Sequence, residues 1–213
     1  MSSIKKTDHF YLIDGSGYIF RAYYTLPPLT RKSDGLPTGA VSGFCSMLFK
    51  LLEDSKSNEN LERPTHFAVI FDSARQTFRN EIYSDYKANR SEAPDDLAPQ
   101  FEYIRKSVSA FNLPSVDLPN YEADDLIATY VEKILKKGAK VTIVSSDKDL
   151  MQLFKKNKSV GILHQEDNIL DSILREFLNS ETKEIEFDSR RIHTYFKKKL
   201  EKNMSKSIYI KKC

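Results

Sequence analysis

The sequence predicts an α/β fold with a mostly parallel sheet and helices on both faces. Three short, wholly apolar segments have the composition of buried parallel strands, and each is followed at once or closely by aspartate. Segments with helical apolar periodicity lie between them, and this alternation is typical of parallel strands joined by helices. With 213 residues, 40% of them hydrophobic, the chain is long enough to bury the core of such a domain.

The first predicted strand is His9–Asp14, which ends in an aspartate. We expect a turn at Gly15-Ser16-Gly17, because an isolated Gly-x-Gly pair is a weak signal for a phosphate-binding loop. Prolines and a glycine predict a loop over residues 27–37, and apolar periodicity predicts a helix from Ala40 to Leu52. A polar linker is expected from Glu53 to Arg63.

The second predicted strand, Phe67–Asp72, also closes with an aspartate. The third, Lys140–Val144, is followed closely by Asp147 and Asp149. A single aspartate at a strand end is ordinary turn chemistry. Ligands of parallel sheets bind beyond the carboxyl ends of the strands. Three strands that bring aspartates to that edge therefore predict a ligand site there.

A helix with three acids at its start adds to the same edge. Glu122, Asp124 and Asp125 stand just before an apolar periodicity that predicts a helix to about Lys137, ending at Gly138. Glu122 and Asp125 share a face of that helix, whereas Asp124 projects about 100° away. Acids in a first turn gain about 0.3–1 kcal/mol from the helix dipole. Three acids together need solvent or a cation as well.

A divalent metal ion is the expected cation. We expect the acids to converge with few cations nearby, and their repulsion would raise their pKa values unless a counter-ion is bound. Oxygen ligands without histidine or cysteine favour Mg²⁺ or Mn²⁺ over zinc, and Mg²⁺ usually acts on phosphates, so phosphodiester chemistry is predicted. The predicted metal ligands are Asp14, Asp72, Glu122, Asp124, Asp125, Asp147 and Asp149.

Residues 77–90 combine cations with aromatic rings. Two sets recur there at a spacing of four: Arg79, Tyr83 and Lys87, and Phe78, Ile82, Tyr86 and Arg90. If this segment is helical, one face is basic with a tyrosine in its middle, beside a mostly aromatic stripe. Such groups suit single-stranded nucleic acid, although an amphipathic helix packed on the core has the same pattern. Beside a phosphate-type metal site, the nucleic-acid interpretation is favoured.

Together these residues resemble the 5′-nuclease domain at the N-terminus of bacterial DNA polymerase I, a PIN-like member of the flap-endonuclease-like group. The resemblance runs from about His9 to Leu153, and it is specific because several motifs occur in the right order. The motifs are Leu-Ile-Asp14-Gly-Ser with Arg21-Ala, Phe71-Asp72 with Thr77-Phe78-Arg79, Asp85-Tyr86-Lys87-Ala-Asn-Arg90, Tyr121-Glu122-Ala-Asp124-Asp125, and Ser146-Asp147-Lys148-Asp149-Leu-Met-Gln-Leu153.

The resemblance implies a 5′-3′ exonuclease or flap endonuclease that hydrolyses DNA phosphodiesters near a 5′ end or flap, as in DNA replication and repair. It implies up to two metal ions: a first at Asp14, Asp72, Glu122 and Asp124 with Asp125 close by, and a second to which Asp147 and Asp149 contribute. The implied arch cations, taken as catalytic, are Arg79, Lys87 and Arg90. The implied DNA contacts are Arg21, Phe78, Arg79, Tyr83, Tyr86, Lys87 and Arg90.

The resemblance is expected to end after the last motif. The family continues with a Gly-Asp…Asp-Asn-Pro-Gly segment that completes the second metal site, and then with a glycine-rich helix-hairpin-helix that grips duplex DNA. The sequence has no glycine after Gly161 and no proline after Pro119, so we expect a missing hairpin and an incomplete second site. We predict a catalytic core over residues 1–155 and a divergent, Lys-rich helical tail over 156–213, with activity weakened by truncation.

Three functions stay open from the sequence: a structure-selective 5′-nuclease, a non-catalytic remnant that binds DNA or metal, and a PIN-type ribonuclease. The expected partners are DNA with a 5′ end or flap and a polymerase or other replication protein, and nothing predicts an oligomeric state. Cys45 and Cys213 have no metal-ligand spacing and predict no disulfide framework, which favours a reducing, cytoplasmic setting. No apolar run is long enough for a signal peptide or a membrane span.

Overall fold

A computed structural model of the protein describes residues 4–57, 62–89, 91–150, 152–153 and 159–163. Its five strands are β1 His9–Asp14, β2 His66–Ile70, β3 Ser115–Val116, β4 Lys140–Val144 and β5 Val160–Leu163. They form one sheet in the order β3-β2-β1-β4-β5, and every neighbouring pair is parallel. The parallel sheet predicted from the apolar runs is therefore confirmed.

Helices cover both faces of this sheet, as predicted. They are α1 Gly15–Thr25, α2 Gly39–Ser57, α3 Phe78–Ile82, α4 Gln100–Ala110 and α5 Ala123–Leu135. Successive strand residues point to opposite faces. Accordingly, Ile13 and Val69 pack in one core cluster with α1, α2 and α4, whereas Leu12 and Ile70 pack in a second cluster with α5.

The order of the strands places a crevice beside β1. From β1 the chain proceeds outward to β2 and β3, and it then crosses back to pair β4 on the other side of β1. The direction of winding thus reverses between β1 and β4, where their carboxyl ends meet at the pair Ile13 and Val144. Open parallel sheets bind ligands in the crevice at such a reversal. This is the edge to which the sequence assigned the strand-end aspartates.

Helix α1 differs from the sequence prediction, because it begins at Gly15 without the expected turn. Asp14 caps this helix, since its Oδ1 accepts a hydrogen bond from the Gly17 amide at 2.8 Å. A Cβ added to Gly15 would lie 2.5 Å from the Phe71 ring, and one added to Gly17 would lie 2.6 Å from Oδ2 of Asp14. The two glycines therefore permit close packing rather than a change of chain direction.

Helix α2 extends five residues beyond its predicted end at Leu52, and the polar residues from Glu53 onward do not begin as a linker. Ser55 is buried and its hydroxyl donates to the Leu52 carbonyl at 2.8 Å. On the exposed side, Lys50 pairs with Asp54 four residues later. The polar stretch is therefore the last part of an amphipathic helix, with Ser55 on its buried side and the charged residues on its exposed side.

The segment predicted over residues 77–90 is helical only in α3, so Arg79, Tyr83 and Lys87 do not share a helix face. Tyr83 is the C-cap in extended conformation, and the chain then forms turns in which Lys87 has a left-handed φ of 57°. The side chain of Asn80 stabilises this course, since it accepts from the Thr77 amide and donates to the Tyr86 carbonyl, both at 3.0 Å. Residues 78–89 are called the basic segment below.

Helix α5 agrees with its prediction within two residues. It ends at Leu135, and the chain leaves it through Gly138 at a left-handed φ of 77°. Glu122 is its N-cap rather than a residue of its first turn. No helix among the described residues combines the length and apolar character needed to cross a membrane.

The sheet continues past residue 155, where the catalytic core was predicted to end. Strand β5 pairs in parallel with β4 from Val141–Val160 to Val144–Leu163. Residues 160–163 therefore belong to the core and not to a separate tail. The predicted tail helices beyond residue 163 lie outside the described residues.

Candidate metal centre and its basic rim

A cavity of about 790 Å³ opens at the carboxyl edge of the sheet. All seven predicted metal ligands line it: Asp14, Asp72, Glu122, Asp124, Asp125, Asp147 and Asp149. Four of the predicted DNA contacts line it too: Arg21, Arg79, Tyr86 and Lys87. Acids from four separate parts of the chain are thus brought to one place, beside cations from two others.

Asp14 lies at the floor of the cavity between β1 and β4. Its Oδ2 accepts a hydrogen bond from the Ser145 hydroxyl at 2.8 Å, and the carboxylate is 6% exposed. The Ser145 oxygen in turn accepts from the Asp147 amide at 3.0 Å. Burial raises the pKa of Asp14, and the charges of Asp72 and Asp147 raise it further, against the lowering effect of its two hydrogen bonds.

Asp72 is placed by contacts with three helices. Its Oδ1 accepts from the Ala123 amide at 2.7 Å, at the N-terminus of α5, where the helix dipole favours negative charge. Its own amide donates to the Ser16 hydroxyl at 3.0 Å, in α1. Its carbonyl accepts from the guanidinium of Arg105, in α4, at 3.1 Å. The position of the carboxylate is therefore set by backbone and helix contacts.

Asp124 carries the clearest electrostatic signature of the site. Burial raises its pKa from 3.8 to about 7, and the charges of Asp14, Asp147, Asp72 and Glu122 contribute in that order. Neighbouring carboxylates disfavour ionisation of one another, which is the effect expected when negative charge is not fully compensated. The mutual repulsion predicted from the sequence is present at Asp124.

Two of the acids, however, are paired with cations, so the expectation of few cations nearby is wrong for them. Lys87 lies 2.7 Å from Oε2 of Glu122. Arg79 makes two hydrogen bonds to Asp125, at 2.7 and 2.6 Å, and they lower the pKa of that carboxyl. Both cations come from the basic segment, where they were predicted to contact DNA and to act in catalysis and not to pair with the acids.

The acids line one cavity, but their side chains are not arranged as a complete metal-coordination site. Within the ranges that the structure describes, no group of three or more histidine, cysteine or acidic side chains is arranged to hold a metal ion. The donor chemistry nevertheless fits a divalent cation that prefers oxygen, because the wall consists of carboxylates and Asp124 has an unfavourable negative environment. Side-chain movements would have to complete the coordination.

Two predicted DNA contacts, Phe78 and Tyr83, do not line the cavity in the part of the chain that the structure describes. The ring of Phe78 lies under the Arg79 guanidinium at 4.7 Å and 5.5 Å from the ring of Tyr121. Tyr83 is 61% exposed and does not line the cavity. Arg90 lies outside the described residues.

Sequence reasoning missed two aromatic residues at the rim. Phe20 and Tyr24 line the cavity and are 40% and 74% exposed. They are four residues apart on α1, on the same side as Gly17 and Arg21. The helical spacing of these residues is present in the sequence, but it was not recognised because a turn was expected at Gly15. A helix that begins at that glycine gives Gly17, Phe20, Arg21 and Tyr24 a common face.

The fold and cavity define a class of protein: a doubly wound α/β domain with an acidic cavity at its topological switch point and a rim of cations and aromatic rings. Within that class, the chain belongs to the family described as 5′-3′ exonuclease, N-terminal resolvase-like domain, whose model matches residues 9–186. The match extends beyond Leu153, where the resemblance was expected to end. It includes the strand β5 that the structure adds to the sheet.

Curated relatives agree with this family. The chain is 56% identical to DNA polymerase I of Rhizobium leguminosarum over 168 residues, which are 79% of this chain and 16% of the polymerase. It is 44% identical to a 5′-3′ exonuclease of Aquifex aeolicus over 147 residues, which are 69% of this chain and 48% of that protein. The chain therefore spans about a sixth of the polymerase and about half of the exonuclease.

Solved structures share the fold at lower identity. T5 5′-exonuclease with divalent zinc ions bound superposes with a TM-score of 0.53 and 22% identity, over 73% of this chain and 55% of that one. A complex of bacteriophage T5 D15 flap endonuclease with DNA and metal ions gives a TM-score of 0.54 and 20% identity, over 73% and 54%. These similarities establish the common architecture.

Proposed function

We propose that the chain is a 5′-3′ exonuclease or flap endonuclease that hydrolyses DNA phosphodiesters near a 5′ end or flap, with Mg²⁺ or Mn²⁺ as cofactor. One observation carries this proposal: carboxylates from four parts of the chain meet in a single cavity that basic and aromatic side chains also line. The family, and the metal ions and DNA named for the T5 structures, support it.

The residues that would hold the metal are those whose charges act on one another. Asp14, Asp72, Asp124 and Asp147 form this group, because the charges of the other three raise the pKa of Asp124. Glu122 raises it as well, but its carboxylate is paired with Lys87. Asp149 would add a further carboxylate to this group. Its amide donates a hydrogen bond to Oδ1 of Asp147 at 2.8 Å and so keeps the two residues together. A bound divalent cation would offset charge on the scissile phosphate and lower the pKa of the attacking water.

The chain's own cations and rings would bind and orient the strand. Arg21 and Lys87 line the same cavity as the acids and would contact phosphate oxygens. Phe20 and Tyr24 expose their rings at the rim, where nucleobases stack on aromatic side chains. With the cations in the cavity and the aromatic rings at its rim, the phosphodiester would lie next to the carboxylates and the bases would lie away from them.

The test is cleavage of a 5′-flap DNA, with Mg²⁺, Mn²⁺ or EDTA present. We expect metal-dependent release of the flap strand that Asp124→Asn abolishes and that Glu132→Gln, an exposed change on the same helix, leaves intact. An RNA of the same sequence in a parallel reaction addresses a PIN-type ribonuclease. If flap DNA stays intact at high protein concentration with either metal, the proposed activity is rejected.

A second function is favoured by a specific observation, namely that Lys87 and Arg79 already neutralise two of the acids. A protein of this kind would bind DNA or metal without turnover. Fluorescence anisotropy with the flap DNA separates the two functions: binding without metal-dependent cleavage supports the non-catalytic role. A polymerase or other replication protein as partner, and a cytoplasmic location, are proposals that follow from either function.

A further inference from the structure

The pair Arg79–Asp125 links the basic segment to the first turn of α5. Two parallel hydrogen bonds, from Nη1 to Oδ2 at 2.7 Å and from Nη2 to Oδ1 at 2.6 Å, join the two side chains. This two-pronged geometry is stronger and more directional than a single contact. The side chains are 29% and 21% exposed, so solvent screens the pair less than it screens an exposed surface pair.

The oxygens of Asp125 are committed to N–H donors. Besides the two bonds from Arg79, Oδ2 accepts from the Glu122 amide at 3.1 Å and so closes the capping box of α5. Three donors and one full positive charge thus act on this carboxylate. A metal ion at Asp125 would have to displace a charged partner and a helix cap. Asp124, one residue earlier, has the opposite environment, since its neighbours are other carboxylates.

Arg79 is held equally firmly on its own side. Its guanidinium lies over the ring of Phe78 at 4.7 Å and 5.8 Å from the ring centre of Tyr86. Its carbonyl accepts the Tyr83 amide at 2.8 Å, where α3 ends. Contacts through Arg79 therefore extend from α5 to both ends of the turn that leads to Lys87.

We infer that Asp125 is not a metal ligand but a positioning residue, which through Arg79 fixes the basic segment over α5 and so holds Lys87 at the cavity. The inference reassigns two residues that the sequence placed in the metal and DNA-contact sets. It rests on the proposed function only for the role of Lys87 at the cavity, which is to contact the phosphate of the substrate. The placement of the segment and the absence of metal binding at Asp125 are testable without any cleavage.

The first test measures metal binding by calorimetry with Mg²⁺ and Mn²⁺ on the full chain. We expect Asp124→Asn to weaken binding by about tenfold or more, which is about 1.4 kcal/mol. Asp125→Asn keeps an oxygen that can cap α5. We expect the metal affinity of this variant to stay within about threefold of that of the unmodified protein. This change is smaller than the loss typical of groups that tune a metal site. A loss at Asp125→Asn as large as that at Asp124→Asn overturns the inference.

The second test measures hydrogen exchange of the backbone amides in residues 78–89. We expect Asp125→Asn and Arg79→Met each to speed this exchange by about tenfold, because the segment opens more readily without the pair. The double variant should exchange no faster than either single one, since both remove the same interaction. Glu132→Gln is the control on α5, and Arg79→Lys keeps the charge without the two-pronged geometry.

These outcomes separate the inference from the proposed function. If flap DNA is not cleaved, metal affinity and amide exchange still decide whether Asp125 binds metal or positions Arg79. If cleavage occurs but amide exchange in Asp125→Asn and Arg79→Met matches the unmodified protein, the positioning role is rejected while the nuclease stands. Additive acceleration in the double variant also rejects it, because the two residues would then act separately.

Discussion

The Ser145 hydroxyl donates a hydrogen bond to Oδ2 of Asp14 at 2.8 Å and connects the ends of the two central strands. Both side chains are buried, at 2% and 6% exposure. Because the same hydroxyl oxygen accepts from the Asp147 amide, one serine orients acids from two segments. The floor of the cavity thus depends on a residue with no charge of its own.

Ser145→Ala should destabilise the fold by about 1–3 kcal/mol, because the buried Asp14 carboxylate loses a donor and the Asp147 amide an acceptor. It should also raise the pKa of Asp14 further, since a hydrogen bond to its ionised form is lost. Urea unfolding measures the first effect. Ser146→Ala, at the exposed neighbouring residue, is the matched control. Equal stabilities of the two variants would contradict this account of the cavity floor.

The raised pKa of Asp124 predicts how stability depends on pH when metal is absent. The folded protein favours the protonated form of Asp124. The contribution of this form to the free energy of unfolding is fully present below the ordinary pKa of 3.8 and is lost as the pH rises through about 7. The shift corresponds to at most about 4 kcal/mol, and solvent at the half-open cavity reduces this figure.

We therefore expect the free energy of unfolding, measured in urea with EDTA, to fall from about pH 4 to pH 7, and Asp124→Asn to flatten this decline. Part of the decline should persist in the variant, because the pKa of Asp14 is raised as well. Glu132→Gln should follow the unmodified protein. A decline of the same size in Asp124→Asn would show that ionisation of Asp124, which burial and the neighbouring carboxylates disfavour, does not control stability.

The sequence predicts the main strands and α5 because their signals are local. Apolar runs of five or six residues and a helical periodicity suffice for β1, β2, β4 and α5. By contrast, β3 has only two residues, and β5 is defined by its pairing with β4. The start of α1 was missed because the need for Gly15 comes from the distant Phe71 ring.

The convergence of the acids was predictable, whereas their partners were not. Strand-end aspartates share an edge in any parallel sheet, so the sequence places Asp14 and Asp72 together. The pair Lys87–Glu122 joins residues 35 apart and depends on a left-handed residue in a turn. Helical spacing predicted the wrong neighbours for Lys87, because α3 ends after five residues and Lys87 lies in the turns that follow.

Gly17→Ala should disturb the cavity specifically. The added Cβ would lie 2.6 Å from Oδ2 of Asp14, the oxygen that accepts from Ser145, so the carboxylate must shift. We expect metal affinity to fall by about tenfold, by analogy with the loss of other groups that orient ligands. Calorimetry measures this change. Gly39→Ala at the start of α2 is the control, since its Cβ would meet the Pro27 carbonyl at 3.2 Å and the Leu29 amide at 3.5 Å, and neither residue lines the cavity. Unchanged affinity in Gly17→Ala would show that the cavity tolerates a shifted Asp14.

Lys87→Met should affect metal binding and cleavage in opposite directions. The ammonium lies 2.7 Å from Oε2 of Glu122, whose side chain is 12% exposed. Its removal leaves this carboxylate only the more distant Arg79 guanidinium, at 4.0 Å. That carboxylate should then attract divalent metal more strongly. Cleavage of flap DNA should nevertheless fall by about 10²–10³-fold, because a positioned cation at the phosphate is lost.

Calorimetry and single-turnover cleavage measure the two effects on the same variant. Methionine keeps most of the apolar stem of lysine but lacks the ammonium, which lies 5.2 Å from the centre of the Tyr86 ring, so the comparison tests the charged group. Lys106→Met, which removes an exposed lysine paired with Glu102, should change neither quantity. If affinity for metal and the rate of cleavage fall together, Lys87 supports the metal site instead of competing with it. A rise in metal affinity with a loss of cleavage rate indicates that Lys87 pairs with Glu122 before substrate binds and contacts the phosphate afterwards.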